Sequence, residues 1–175
     1  MGPIQHVVVT GLMGAGKTTT GELLAERLGW AWRDSDADIE ASTGATVREL
    51  RDREGVDAIH RREAAQLIEA LASTEPNVIS AAASVVEDPD ARAAMTRPGV
   101  AVIWLHASPE LLAERFDSDK HRPAYGPDPK VFLAEQAARR EPLIGRIGAH
   151  RLDVERVTPD QVVARTMALL DSIGR

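Results

Sequence analysis

At 175 residues, with 43% hydrophobic and 27% charged side chains, the chain has ordinary globular make-up and enough length to bury a core without staples. It has no cysteine, which excludes disulfides and thiolate metal sites, and its 3% aromatic content demands an aliphatic core. A formal net charge of −6 leaves no excess cation to displace counterions, so no nucleic-acid or membrane partner is expected, and any polyanion must meet a local positive site.

The opening MGPIQHVVVT carries neither a basic leader nor a long apolar segment, so a cytoplasmic protein is expected. HVVVT (6–10) is the first predicted strand, and GLMGAGKT (11–18) follows it directly. Gly11-x-x-x-x-Gly16-Lys17-Thr18 has phosphate-loop spacing in the right place, after a strand and before a predicted helix. Glycines let the chain wrap so that backbone N–H groups point inward at a polyphosphate, and a side chain would block that approach. Lys17 supplies a mobile point charge to the β and γ phosphates, and Thr18 a hydroxyl for a magnesium ion. Gly11, Gly14, Ala15, Gly16, Lys17, Thr18 and Thr19 are the candidate nucleotide contacts.

WAW (30–32) is a weaker strand, and RDSDADIEASTG (33–44) after it sets Asp34 and Asp36 two apart. At a strand end both carboxylates leave on one side, toward the sheet edge where the phosphate loop also lies, and can divide metal binding from acceptor activation. The alternative is that Asp-Ser-Asp simply caps a helix. Ala64, Leu67, Ile68 and Leu71 share one helical face. NVIS (77–80) and GVAVIWLHA (99–107) read as buried strands, and HRLDV (150–154) as a weaker one. FDSDKHRPAYGPDP (116–129), with three prolines and a glycine, reads as a mobile loop and candidate lid. A closing helix starts with Thr158 as N-cap and Pro159, then sets Val162, Thr166, Leu169, Leu170 and Ile173 on one side. No repeat or long linker divides the chain, so a single domain over 1–175 is expected. Strands separated by helices predict a three-layer α/β fold with a mostly parallel sheet.

GLMGAGKTTTG (11–21), DSDADIEASTG (34–44), HRP (121–123) and RREPL (139–143) together resemble the shikimate kinases in order and spacing over nearly the whole chain. The resemblance implies a nucleoside-monophosphate-kinase-like P-loop fold with one five-stranded sheet and a lid near 116–129. It implies ATP and Mg²⁺ as co-substrates, phosphate transfer to a hydroxyl of a small ring acid, and a place in aromatic amino acid biosynthesis. Carried over by position, Lys17 and Thr18 hold phosphate and metal, Asp34 lies near the metal and Asp36 binds acceptor hydroxyls. Arg122 is the lid's arginine finger, Arg115 stacks on adenine and Arg140 pairs with the acceptor's carboxylate. A monomer is expected.

Two departures fall on the acceptor side. The family pattern Gly-Glu-x-x-Phe-Arg-x-x-Glu corresponds to Gly55–Glu63 here, which puts His60 where an arginine belongs and replaces a permanent guanidinium fork with a ring near neutrality. The family's triple glycine after its third strand is replaced within Ser80-Ala81-Ala82-Ala83-Ser84. Alanine at a left-handed position would cost roughly 1–2 kcal/mol, or the loop takes another path. Ser84 is expected to offer the acceptor a hydroxyl, and Ala83 to wall the same site. The acceptor is therefore shikimate, another polyol, sugar acid or natural product, or the chain is an ATP-binding module with a decayed acceptor pocket.

Overall fold

The computed structural model describes residues 3–117 and 128–174. Five strands form one sheet: β1 (His6–Thr10), β2 (Ala31–Asp34), β3 (Asn77–Ser80), β4 (Val100–His106) and β5 (His150–Asp153). Their order is β2-β3-β1-β4-β5, and every neighbouring pair is parallel. Crossover helices cover both faces, which is why β1 reads as a continuous apolar run: Val7, Val8 and Val9 are all fully buried. Side chains alternate between layers. Val7, Val9, Ile103 and Leu105 join α1 (Lys17–Leu28) and α8 (Pro159–Ile173), whereas Val8, Val102 and Trp104 join α4 (Val56–Ala70) and α5 (Pro89–Met95).

Strand order reverses at β1, whose neighbours β3 and β4 lie on opposite sides; a crevice at such a switch point is where ligands enter open α/β sheets. Two short helices, α2 (Ser35–Thr43) and α3 (Val47–Glu54), pack with the start of α4 through Ile39, Leu50 and Ile59 into a small satellite core beside that crevice. On the other side run α6 (Pro109–Asp117) and α7 (Pro129–Arg146). α7 places Leu133 in one core layer and Ile144 in the other, which fixes the helix that carries Arg140.

Three expectations are adjusted. The second strand is Ala31–Asp34 rather than 30–32, because Trp30 still donates its N–H to Ala25 as part of the left-handed Gly29 cap of α1. Asp36 is not a strand-end residue: it lies in the first turn of α2, and Asp34 is that helix's N-cap. The predicted loop over 116–129 is shorter at both ends, since α6 runs to Asp117 and α7 begins at Pro129 behind the Asp128 cap; its remainder and Arg122 lie outside the described residues. The closing helix is as expected, with Thr158 and Gln161 completing a reciprocal capping box. Among the described residues no helix is long and apolar enough to cross a membrane.

Candidate active site

The loop between β1 and α1 needs its glycines for separate reasons. A Cβ on Gly11 would collide with the backbone carbonyl of Leu105. Gly14 and Gly16 hold φ of 83° and 89°, where other residues are strained, and Gly16 is the N-cap from which α1 starts. The first turn of α1 therefore turns its N–H groups and a positive helix end toward the crevice. Lys17 arches back so that Nζ donates to the Leu12 carbonyl at 3.2 Å. One turn along, Gly21 lets α1 lie directly on β3, because a Cβ there would strike the Ser80 hydroxyl. Ser80 uses that proximity: Oγ donates to the Lys17 carbonyl at 3.0 Å and accepts from Trp32 Nε1 at 3.0 Å. Arg115 on α6 donates to the carbonyls of Gly14 and Val154, at 3.4 and 3.0 Å, tying the loop to the end of β5.

Thr18 Oγ1 donates to Asp34 Oδ2 at 3.0 Å, while Oδ1 of the same carboxylate accepts the N–H groups of Asp36 and Ala37 at 3.1 and 3.3 Å. Capping by Asp34 therefore occupies one oxygen and leaves the other beside the Thr18 hydroxyl, so the two sequence readings of this carboxylate are compatible. One hydroxyl beside one fixed carboxylate oxygen, at the mouth of a phosphate loop, suits a hard divalent cation that takes its other ligands from phosphate and water. Among the described residues no group of three or more His, Asp or Glu side chains gathers to hold a metal by itself.

Across the crevice lies a cleft of about 630 Å³. Its nucleotide end includes Gly14, Gly16, Lys17, Thr18, Thr19 and Arg115, and its far end Asp36, His60, Ala83, Ser84 and Arg140. Gly11 and Ala15 sit behind this wall, both buried, and shape the loop rather than line it. The stretch Ala81–Ser84 carries its Cβ atoms without strain: no described non-glycine residue has positive φ, and Ala82 sits at φ −58°. The loop has taken a path that alanine tolerates. Neither Arg61 nor Arg62 lines the cleft in place of His60, and Arg62 is held by Glu54 at 2.7 Å.

Burial, reinforced by the charge of Arg140, holds the His60 imidazole below its usual pKa, so it is neutral at pH 7. Glu63, one helical turn on, is 7% exposed, and burial raises its carboxyl to about 7 despite an opposing hydrogen bond from Ser84. The Ser84 hydroxyl thus donates to Glu63, not into the cleft as the sequence suggested, because a buried carboxyl competes strongly for a nearby donor. Arg140, 8% exposed, donates Nε to Glu87 at 2.5 Å, and Arg139 donates to the same oxygen at 2.9 Å. Burial alone would raise the Glu87 carboxyl, but the Arg140 hydrogen bond and the two guanidinium charges outweigh it and hold it below the usual range. Glu87 and the cleft-lining Gln136 went unrecognised in the sequence, and Glu63 was read only as the last residue of the family pattern. Gln136 precedes Arg140 by four residues, a spacing that puts both on one helical face and was the only available signal.

A parallel α/β sheet with a phosphate loop at its switch point, a hydroxyl–carboxylate corner and a facing polar cleft define a P-loop phosphotransferase. The shikimate kinase family model matches residues 13–171. The chain belongs to the shikimate kinase family. It is 38% identical over 172 residues to the shikimate kinase of Symbiobacterium thermophilum, covering 97% of this chain and 98% of the relative. It is 34% identical over 168 residues to that of Pseudomonas syringae pv. tomato, covering 95% and 96%. Among solved structures, shikimate kinase from Acinetobacter baumannii in complex with shikimate superposes with a TM-score of 0.86 at 30% identity, over 97% of this chain and 94% of that one. A gluconokinase from Sinorhizobium meliloti gives 0.72 at 25% identity, over 99% and 95%.

Proposed function

We propose that this protein is an ATP- and Mg²⁺-dependent kinase that transfers the γ-phosphoryl group of ATP to a hydroxyl of shikimate, acting as a cytoplasmic monomer of one domain spanning 1–175. The observation that carries the reading is a single cleft in which Lys17 and the Thr18–Asp34 corner face Asp36 and Arg140. The loop amides and Lys17 bind the β and γ phosphates, and Arg115 bounds the adenine side. Asp36 accepts a hydrogen bond from the acceptor hydroxyl and takes its proton as the new O–P bond forms in line and the bond to the bridging β–γ oxygen breaks, releasing ADP. Thr18 and Asp34 would hold the magnesium ion, which supplies neutralising charge to the phosphate oxygens when bound. Arg140 pairs with the acceptor's carboxylate, Ala83 walls the ring, and His60 offers a neutral imidazole. Arg122, outside the described residues, is assigned as the finger that meets charge on the transferring group.

A second reading keeps the reaction and changes the acceptor to another polyol or sugar acid. Its support is the neutral, half-buried His60, which cannot supply a second permanent charge to a carboxylate. Both readings are tested by ADP release with shikimate, gluconate and a polyol panel against a Lys17→Met control. Shikimate-dependent turnover that vanishes in the control is expected. Turnover confined to another acceptor selects the second reading, and ATP binding without any acceptor-dependent ADP overturns both.

A further inference from the structure

We propose that Ser84 is a positioning residue: by bracing the turn 83–87 against Glu63 it holds Glu87, at the turn's far end, where Glu87 presents Arg140 to the acceptor. The inference rests on the kinase reading above and assigns Ser84 a role in it that is indirect.

The turn Ala83–Glu87 is a 3₁₀ segment wedged between α4 and α7. At three residues per turn, positions i and i+3 eclipse, so Ser84 and Glu87 stand on the same side of the segment, one above the other. Ser84 donates to Glu63 on α4, and Glu87 accepts from Arg140 and Arg139 on α7. Two helices that do not follow each other in the chain are thereby joined through five residues. The backbone bonds that join the turn to its flanks are long, 3.4 Å from the Val85 N–H to the Ala82 carbonyl and 3.3 Å from the Asp88 N–H to the Val85 carbonyl, so side-chain contacts carry much of its placement. Arg92 donates to the Val86 carbonyl at 2.6 Å and pins the rear. The front is set by the Ser84–Glu63 bond, in which both partners are over nine-tenths buried. With glycine at position 84, as in the family pattern, this brace is not possible; here it coincides with the loss of an arginine at position 60. The brace compensates at Arg140, the guanidinium that the acceptor end retains.

Glu63 is also faced by Asp36 from α2, Lys17 from α1 and Arg140 from α7, whose charges the test leaves in place. Ser84→Ala and Ser84→Thr are compared with the wild type in steady-state assays varying shikimate and ATP separately. The alanine variant is expected to raise the KM for shikimate about 3- to 12-fold, the worth of one intramolecular hydrogen bond, with the KM for ATP unchanged and threonine restoring the wild-type value. An unchanged KM for shikimate, or an equal rise in both KM values that threonine does not rescue, overturns the proposal. A ligand-free readout separates this from failure of the kinase reading: ¹³C-NMR titration of the Glu63 carboxyl, assigned with Glu63→Gln. Its midpoint, near 7 in the wild type, is expected to rise in Ser84→Ala even if no acceptor is turned over, and a midpoint that stays put refutes the brace.

Discussion

The two ends of the cleft solve their problems with different kinds of matter. The nucleotide end is built mostly of backbone: Gly11, Gly14 and Gly16 bend the loop, Gly21 admits α1 against β3, and Ser80 locks the contact from behind. The acceptor end is built of side chains whose states depend on one another, with Glu63, Ser84, Glu87 and Arg140 linked across α4, the 3₁₀ turn and α7. Backbone geometry tolerates little substitution, whereas a side-chain network can be rewired. The departures from the family pattern, His60 and Ala82-Ala83-Ser84, accordingly all fall at the acceptor end.

The sharpest way to break this contrast is at Asp36. Asp36→Asn keeps the start of α2 and removes the carboxylate proposed to accept the proton, so kcat is expected to fall about 10²- to 10⁴-fold with ATP affinity retained. Weaker ATP binding instead would move Asp36 to the nucleotide end. Next in size is Glu63. Its folded pKa is raised, so the stability it contributes is complete below its ordinary value of 4.5 and lost as pH rises through about 7. Glu63→Gln removes that loss, and between pH 5 and 8 the variant should gain roughly 3 kcal/mol on the wild type in denaturant titrations. A difference independent of pH would mean that Glu63 is charged and solvated. Gly11→Ala should lower stability by about 1–3 kcal/mol and weaken ATP binding, as measured by thermal melts and calorimetry, because its Cβ can only be accommodated by moving the Leu105 backbone. The smallest effect is expected at Gln136, whose Oε1 is buried without a hydrogen-bond partner among the described residues. Gln136→Leu should leave the melting temperature unchanged or raise it by a few degrees, since replacing an unsatisfied polar group by an apolar one is near neutral or stabilising.

The same division explains what could be read from the sequence. The phosphate loop and β1 were legible because their determinants are local: glycine spacing and an uninterrupted apolar run flanking it. The Thr158 and Pro159 helix start was legible for the same reason. Asp34 was recognised, yet its double duty as cap and as partner of Thr18 needed the approach of α1 to β2. The second strand starts one residue later than read because Trp30 is apolar yet belongs to the α1 cap, and it runs two residues further, through the polar Arg33 and Asp34. The pairing of Glu63 with Ser84 and of Glu87 with Arg140 was invisible, since these partners lie 21 and 53 residues apart and no periodicity encodes such a meeting. Ser84 was noticed for the glycine it replaces, but its donor direction is set by the burial of Glu63, which only packing reveals.

The nucleotide end keeps the family's phosphate loop, while the acceptor end carries His60 in place of a permanent cation. Steady-state kinetics of His60→Arg with shikimate and ATP varied independently tests this contrast most directly. A guanidinium restored beside Arg140 should lower the KM for shikimate about tenfold or more and leave the KM for ATP unchanged. An unchanged or higher KM for shikimate would contradict the account.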